Sequence, residues 1–525
     1  MVAGRPTPGK LSLLRAPAVS WCERRREDRG QVRVAARRSD PAGLSRRQLM
    51  ASGGLATIAV LAGDRARASA SPVRHHRAAP PRLRLTTTPD LTTVLAESPL
   101  PPFIPVTAAP GDVKVSPERA FQPFLGVGAA LTDSAAYVLT NYMTADQRNA
   151  LLTDLYSPSA RNWQMLRVCM GSPDFRSGKT GYTYDDGSAD PLLTRFSVAR
   201  DTAFITPVVR EILAINPAVR VLATPWTPPA WMLASGKFSH GRCTFNDGYL
   251  APYAQYFVKF IRAYQSMGIP IWAVTAQNEA VGGWFMNLGQ DEESDFIGAC
   301  LGPALASAGL RHVKIFAMDD QWSHASYGQA VYTSSTAQPY TAGVAYHGYR
   351  GGPTVMSKAY GEQHLTEWRS KTTESLDITM AGMAGGYVAG GVSHWARSVI
   401  LWNLALDQHG GPNQHKPHRR GVVTVNNKTG DVTPNPEYYA LAHLAMFAQP
   451  GARRCLSPSY GPAYVAYTTY PSDITTTALA NPDGSVVLYV YNGAVSTKTF
   501  QIIDASTHTG CRVSMTPGEL STFAW

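Results

Sequence analysis

Six cysteines are spread through 525 residues, too few and too far apart for a fold built on disulfides or zinc. Cys22 lies in a basic N-terminal region, which leaves Cys169, Cys243, Cys300, Cys455 and Cys511, an odd set in which Cys455 to Cys511 is the one bond considered. Charged residues make up only 16% of the chain against 44% hydrophobic, so a polar, disordered chain is excluded. Long apolar runs are missing too: the mild one from Ala51 to Gly63 is shorter than the ~20 residues that cross a bilayer as a helix. No fixed-period repeat is present, which excludes a solenoid or a propeller. Gly126-Val-Gly128-Ala-Ala-Leu131 has leucine where a dinucleotide fingerprint needs its third glycine, so no nicotinamide cofactor is expected. His409, His415 and His418 stand among Lys416, Arg419 and Arg420 in a Gly/Pro-rich loop without a carboxylate or thiol at ligand spacing; a solvated loop and no metal site are expected.

The formal charge of +11 points to an anionic partner until it is located. Residues 1–70 hold 14 of the 48 Lys and Arg and 5 of the 37 Asp and Glu, which leaves the remainder nearly balanced at 34 to 32. That balance removes the argument for nucleic acid or an anionic membrane as partner. The excess sits around Ser45-Arg46-Arg47-Gln48-Leu49-Met50, followed by the apolar run and by Ala68-Ser69-Ala70, an order that resembles a twin-arginine export signal. A secreted or periplasmic enzyme is therefore expected, with no stable membrane insertion once residues 1–70 are removed. Residues 1–42 exceed what such a signal needs and read either as an extended n-region or as an early start codon.

From residue 71 to about 110 the chain is rich in Pro, Thr and Arg and reads as a linker running into extended segments. Strand-like and helix-like segments then alternate. Candidate strands are Phe124–Ala130, Met165–Met170, Val219–Thr224, Ile271–Thr275, Val313–Ala317, Gly343–Tyr346, Gln363–Leu365 and Ser398–Trp402. Between them, stretches such as Asp201–Ile215 and Tyr249–Met267 repeat apolar residues at three- and four-residue steps. Eight such units argue for an α/β fold, a closed (β/α)₈ TIM barrel over residues 111–420. Beyond it, Val, Thr and Tyr runs broken by Asn426-Asn427, Asn481-Pro-Asp-Gly484 and Thr516-Pro-Gly518 read as hairpins of a β-sandwich over 421–525, joined by strands from about 82–120.

In a parallel barrel, chemistry sits at the C-terminal strand ends, where the βα loops form the open face. The fourth strand runs out to Asn278-Glu279 and the seventh to Leu365-Thr-Glu367-Trp368, so each delivers one glutamate to that face. Two facing carboxyl groups are what glycosidic cleavage needs, one to protonate the leaving oxygen and one to attack the anomeric carbon. Glu279, as the acid, is expected to have a raised pKa. Glu362 precedes the apolar turn of the seventh strand and reads as a solvated loop residue.

Five segments, in order, resemble glycoside hydrolase family 30: Phe124-Leu-Gly-Val-Gly-Ala-Ala-Leu-Thr-Asp133, Arg167-Val-Cys-Met-Gly-Ser-Pro-Asp174-Phe175, Ala223-Thr-Pro-Trp226-Thr-Pro-Pro-Ala-Trp231-Met232, Ala273-Val-Thr-Ala-Gln-Asn278-Glu279 and Leu401-Trp402-Asn403-Leu-Ala-Leu. The resemblance spans about Asp112 to Phe447. It implies a barrel with a side β-sandwich and retention of configuration. It puts the acid/base on Glu279 and the nucleophile on Glu367, with Asp174, Trp226, Asn278, His347, Tyr349 and Trp402 lining the sugar pocket. Gln277, Ala280 and Trp368 depart from the family pattern and place the expected differences at the pocket rim. No cofactor or metal is implied. The expected activity is cleavage of a β-glucosidic bond, glucosylceramidase-like, with endo-β-1,6-glucanase, β-xylosidase and a non-catalytic carbohydrate-binding barrel as alternatives.

Overall fold

The structure, a computed structural model, describes residues 82–237, 247–281, 285–414 and 418–525. The export signal at 1–70, residues 71–81 of the linker, Cys243, His415 and Lys416 lie outside the described residues.

Eight parallel strands close into a barrel. In chain order they are β1 (Gly126–Leu131), β2 (Met165–Met170), β3 (Arg220–Pro225) and β4 (Ile271–Thr275), then β5 (Lys314–Gln321), β6 (Thr341–His347), β7 (Glu362–Glu367) and β8 (Ala396–Leu401). Each pairs with its sequence neighbour, and β8 closes on β1 through Ser398–Gly126 to Leu401–Ala129. The expected strands coincide with these. The largest difference is β5, which extends into polar residues because strand pairing continues where apolar sequence stops. Close approach explains two glycines: a Cβ at Gly128 would lie 1.8 Å from the Met165 carbonyl oxygen, and one at Gly343 would lie 1.8 Å from that of Glu362.

Alternation along the strands sorts the barrel interior into layers. Met165, Leu222, Ala273, Phe316, Ala345 and Ile400 form one buried apolar cluster. Two residues further along, the same strand faces carry Arg167, Thr224, Thr275 and His347, with Thr366 from β7. Above these, Cys169, Trp226 and Trp402 cluster with Ala130 and Phe175. An apolar plug therefore supports a polar layer, which supports an aromatic wall. β5 joins the polar layer through a bulge: its register against β6 passes from Met318 to Asp320, and Met318 and Asp319 have φ of 75° and 54°. The amide of Met318 is satisfied by the buried carboxylate of Glu293 at 2.9 Å, which fixes the bulge and turns Asp319 inward.

The helices follow local signals. Thr144 and Gln147 form a reciprocal capping box at Ala145–Tyr156, and Thr132 caps Asp133–Asn141. Leu250–Ser266 buries Phe257, Phe260, Ile261 and Tyr264 on one face, each such side chain contributing about 1.5–3 kcal/mol of burial.

The second layer system is a single ten-stranded sheet folded on itself. Val113–Pro123 joins its halves, pairing antiparallel with Arg453–Leu456 and parallel with Lys498–Asp504. Leu83–Thr87 pairs with Leu520–Ala524, so N-terminal strands do complete the C-terminal sandwich. The turn at 481–484 links two paired strands as expected. Thr516–Gly518 does not make a hairpin: the strand before it pairs with Lys498–Asp504 and the one after it with Leu83–Thr87 and Val486–Asn492, so this turn changes layers. The Asn426-Asn427 turn belongs to a small separate sheet of Ala405–Asp407, Val423–Val425 and Val432–Pro434. Cys455 and Cys511 share the sandwich core as free thiols. Among the described residues no helix is long and apolar enough to cross a membrane.

Candidate active site

Six strands, β2 to β7, contribute to one charged network. Arg167, fully buried in β2, donates to Glu367 Oε2 at 2.5 Å, to Asp319 Oδ2 at 2.9 Å and to Asn278 Oδ1 at 2.8 Å. Asp319 also accepts from Thr224, Thr275 and Thr366, at 3.1, 2.8 and 2.5 Å. His347, fully buried at the end of β6, places Nε2 3.2 Å from Asp319 Oδ1 and Nδ1 3.2 Å from Glu279 Oε1. Gln321 Nε2 donates to the same Glu279 oxygen at 2.8 Å, and the Tyr349 hydroxyl donates to Glu367 Oε1 at 3.0 Å. The network brings Glu279 and Glu367 together, with a carboxylate oxygen of each and a nitrogen of His347 all within 4.8 Å of one another.

A cavity of about 300 Å³ opens above them. Of the expected binding residues, Asp174, Trp226, Asn278, Tyr349 and Trp402 line it together with both glutamates. Trp226 and Trp402 stack with ring centroids 5.0 Å apart, and the Arg167 guanidinium lies 5.0 and 5.5 Å from the two rings. Phe175 meets Trp402 edge-on. His347 is the exception. It is fully buried beneath the pocket and acts on Glu279 and Asp319, because the interior alternation of β6 points it into the polar layer. The departures at Gln277, Ala280 and Trp368 also prove not to be on the rim. All three are buried outside the pocket lining: Gln277 donates to the Trp226 carbonyl at 2.6 Å, and Trp368 stacks on Tyr387.

Two expectations about individual acids are corrected. Glu362 is not a solvated loop residue. It opens β7 at the opposite end of the barrel, where it pairs with Lys314 at 2.6 Å and Arg397 at 3.2 Å. Burial would raise its pKa, but His364 and Lys314 pull it down to about 2. Glu279 does not have a raised pKa. Burial pushes it up, yet the hydrogen bond and charge of His347 outweigh that and hold it below the usual carboxylate range. The basic loop is corrected as well: Arg420 pairs with buried Glu437 at 3.1 Å, and Arg419 lines the pocket.

Charge is balanced by position. Burial alone would lower His347, but Glu367, Asp319 and Glu279 push it up to about 10. Burial alone would raise Asp319, but Arg167 and His347 hold it far below the ordinary carboxylate range. Asp174 forms no ion pair among the described residues, and burial, Glu367 and Glu279, offset only in part by Arg369, raise it to about 7. Glu279, His347 and Glu367 are also close enough to share a metal ion. The donor set does not fit one: an imidazole protonated on both nitrogens has no lone pair to give, and Arg167 already supplies cationic charge to Glu367.

This network makes stability depend on pH in a definite sense. His347, raised from 6.5 to about 10 in the fold, contributes stability that is fully present below pH 6.5 and is lost as pH rises through 10. Asp319, depressed from 3.8, contributes stability present above that pH and lost below it. Thermal unfolding is therefore expected to give its highest Tm between about pH 4 and 6.5, with a decline toward pH 10 that His347→Gln flattens. An unchanged alkaline slope in that variant would exclude His347 as its source.

Sequence reading left out Arg167, Asp319, Gln321 and the three threonines as site residues. The signal for Arg167 was available: a lone arginine inside Met-Leu-Arg-Val-Cys-Met, a strand with every residue buried, needs a buried acid nearby.

Residues 124–448 match the glycosyl hydrolase family 30 TIM-barrel domain, and residues 462–518 match the family's β-sandwich domain. The chain is similar to an endo-1,6-β-D-glucanase of Aspergillus fumigatus, 31% identical over 69% of this chain and 77% of that protein. It is also similar to the lysosomal acid glucosylceramidase of Mus musculus, 29% identical over 75% of this chain and 80% of that protein. The solved structure of an endo-β-1,6-glucanase, 28% identical, superposes with a TM-score of 0.74 over 85% of this chain and 99% of its own. With both domain matches in order along one chain and a barrel carrying paired strand-end glutamates, the chain belongs to glycosyl hydrolase family 30 and is a glycoside hydrolase.

Proposed function

We propose that this enzyme cleaves β-glucosidic bonds with retention, using Glu367 as nucleophile and Glu279 as acid/base. One observation carries the reading: carboxylate oxygens of the two glutamates approach within 4.8 Å. Retaining glycosidases need the carboxyl groups roughly 5–5.5 Å apart, whereas inversion needs about 6.5–9.5 Å to admit a water.

The surroundings divide the roles. Glu367 accepts hydrogen bonds from Arg167 and Tyr349, which orient it for attack on the anomeric carbon. Glu279 is held by His347 and Gln321, which suits proton transfer to the leaving oxygen. A sugar entering between the carboxylates displaces water, strengthens their repulsion and raises Glu279 toward its acid form. Formation of the glycosyl ester removes the charge of Glu367. The pKa of Glu279 then falls, and it takes the proton of the water that releases the sugar. Asp174 and Asn278 are positioned to hold sugar hydroxyls, and Trp226 and Trp402 to meet the C–H face.

β-1,6-Glucan is the substrate that the relatives favour, since the Aspergillus fumigatus protein and the solved neighbour are named for that activity. Glucosylceramide is the second reading, from the mouse relative. In a panel of β-1,6-glucan, glucosylceramide, an aryl β-glucoside and a β-xyloside, β-1,6-glucan is expected to be cleaved fastest. NMR is expected to detect the β-anomer as the first sugar released. The α-anomer first would remove retention, and no hydrolysis of any member would favour the carbohydrate-binding barrel.

Export through the twin-arginine motif is part of the same proposal. The free thiols of Cys455 and Cys511, together in one core, fit a chain that folds before leaving a reducing compartment. Replacing Arg46 and Arg47 by Lys is expected to keep the enzyme inside the cell, and unchanged export would overturn the assignment.

A further inference from the structure

The arginines around the pocket are not equivalent. Arg167 is neutralised by Asp319 and Glu367, and Arg420 by Glu437. Arg369 and Arg419 line the same pocket, yet neither forms an ion pair with a carboxylate among the described residues. Arg369 lies over the Tyr349 ring at 5.2 Å, and its Nη1 is buried with no hydrogen-bond partner. Arg419 is half-buried, and burial together with the charge of Arg369 lowers its pKa. The two guanidinium groups share one pocket wall and repel each other, a repulsion that Asp174 offsets in part, and the buried Arg369 nitrogen stands unsatisfied. A sugar hydroxyl would occupy the free donor and leave the repulsion in place. An oxyanion would relieve both.

We propose that Arg369 and Arg419 form a subsite for an anionic group on the sugar that Glu367 attacks, a carboxylate or a sulfate or phosphate ester. This rests on the reading of the pocket as a β-glycosidase site. The other charges in the pocket limit where the group can lie. Asp174, Glu279 and Glu367 repel an anion, so it is held on the wall formed by Arg369, Arg419 and the face of Tyr349, away from the reacting carboxylates. The subsite thus widens the accepted sugars from neutral glucose to acidic ones, a uronate or an esterified hexose.

The test measures binding of glucose, glucuronate, glucose 6-sulfate and glucose 6-phosphate to the full enzyme by calorimetry, with hydrolysis of a neutral aryl β-glucoside followed in parallel. At least one anionic sugar is expected to bind about tenfold or more tightly than glucose. That ratio is expected to collapse toward one in the Arg369→Gln/Arg419→Gln variant, and to survive in part in Arg369→Lys, which keeps the charge. Tighter glucuronate marks a carboxylate site, whereas tighter sulfate or phosphate ester marks an ester site. Glucose binding as well as or better than all three anions overturns the proposal, as does a preference that persists in the double variant. Failure to hydrolyse the aryl glucoside while the anion preference stands would strike the glycosidase reading and leave the subsite.

Discussion

Glu367→Gln is expected to reduce hydrolysis of an aryl β-glucoside by ~10⁴-fold or more, the scale on which removal of one member of a catalytic unit acts. The fold is expected to survive. The amide has the same shape, the Tyr349 hydroxyl keeps an acceptor, and Arg167 keeps Asp319 and Asn278 as partners. Glu279→Gln is expected to behave differently, and the difference assigns the roles. A nitrophenolate leaves without a proton, so glycosylation proceeds and the intermediate accumulates for want of a base. Azide attacks that intermediate without needing deprotonation, so it is expected to rescue Glu279→Gln and yield a β-glycosyl azide. In Glu367→Gly, which clears the space of the side chain, azide takes the place of the missing nucleophile and yields the α-glycosyl azide. Opposite products would interchange the two glutamates, and near-normal turnover in Glu367→Gln would discard the mechanism.

The catalytic pair could be read from sequence because two independent regularities meet on it. Barrel strands expose their C-terminal ends, and the segments at Asn278-Glu279 and Glu367 are strand ends. What could not be read was the polar layer beneath. Asp319 belongs to it only through a bulge that depends on Glu293, a residue of the helix Gln290–Asp295, and no local pattern in β5 announces that. His347 illustrates the same limit: motif order placed it at the pocket, but the two-residue alternation of β6 turns its ring below the surface. Glu362 shows how charge misleads, since an acid before an apolar turn reads as solvated until Lys314 of β5 and Arg397 of β8 are seen beside it. Arg419 and Arg420 are adjacent, yet one meets Glu437 and the other the pocket, a division set by tertiary contacts alone.

That polar layer also makes Arg167 the position where stability and activity are expected to fail together. Its guanidinium has no exposed surface and faces two buried carboxylates, of which Asp319 has none either. Removing one partner of such a pair leaves charge in a low dielectric without compensation, a loss of about 3–5 kcal/mol. Arg167→Met is therefore expected to lower the denaturant midpoint by a corresponding amount. It is also expected to lower kcat/KM, because Glu367 loses the charged donor that orients it. Arg167→Lys cannot reach Glu367, Asp319 and Asn278 together through one point charge, so it is expected to recover only part of either loss. The second variant that decides the matter is Arg167→Met/Asp319→Asn. If the cost of Arg167→Met comes mainly from the stranded Asp319 charge, the double variant is more stable than Arg167→Met alone, although each single change is destabilising. The activity is expected to stay low in it, since Glu367 is still without its cation. Stabilities that simply add would show instead that the loss comes from the packing of Arg167 against Trp226 and Trp402.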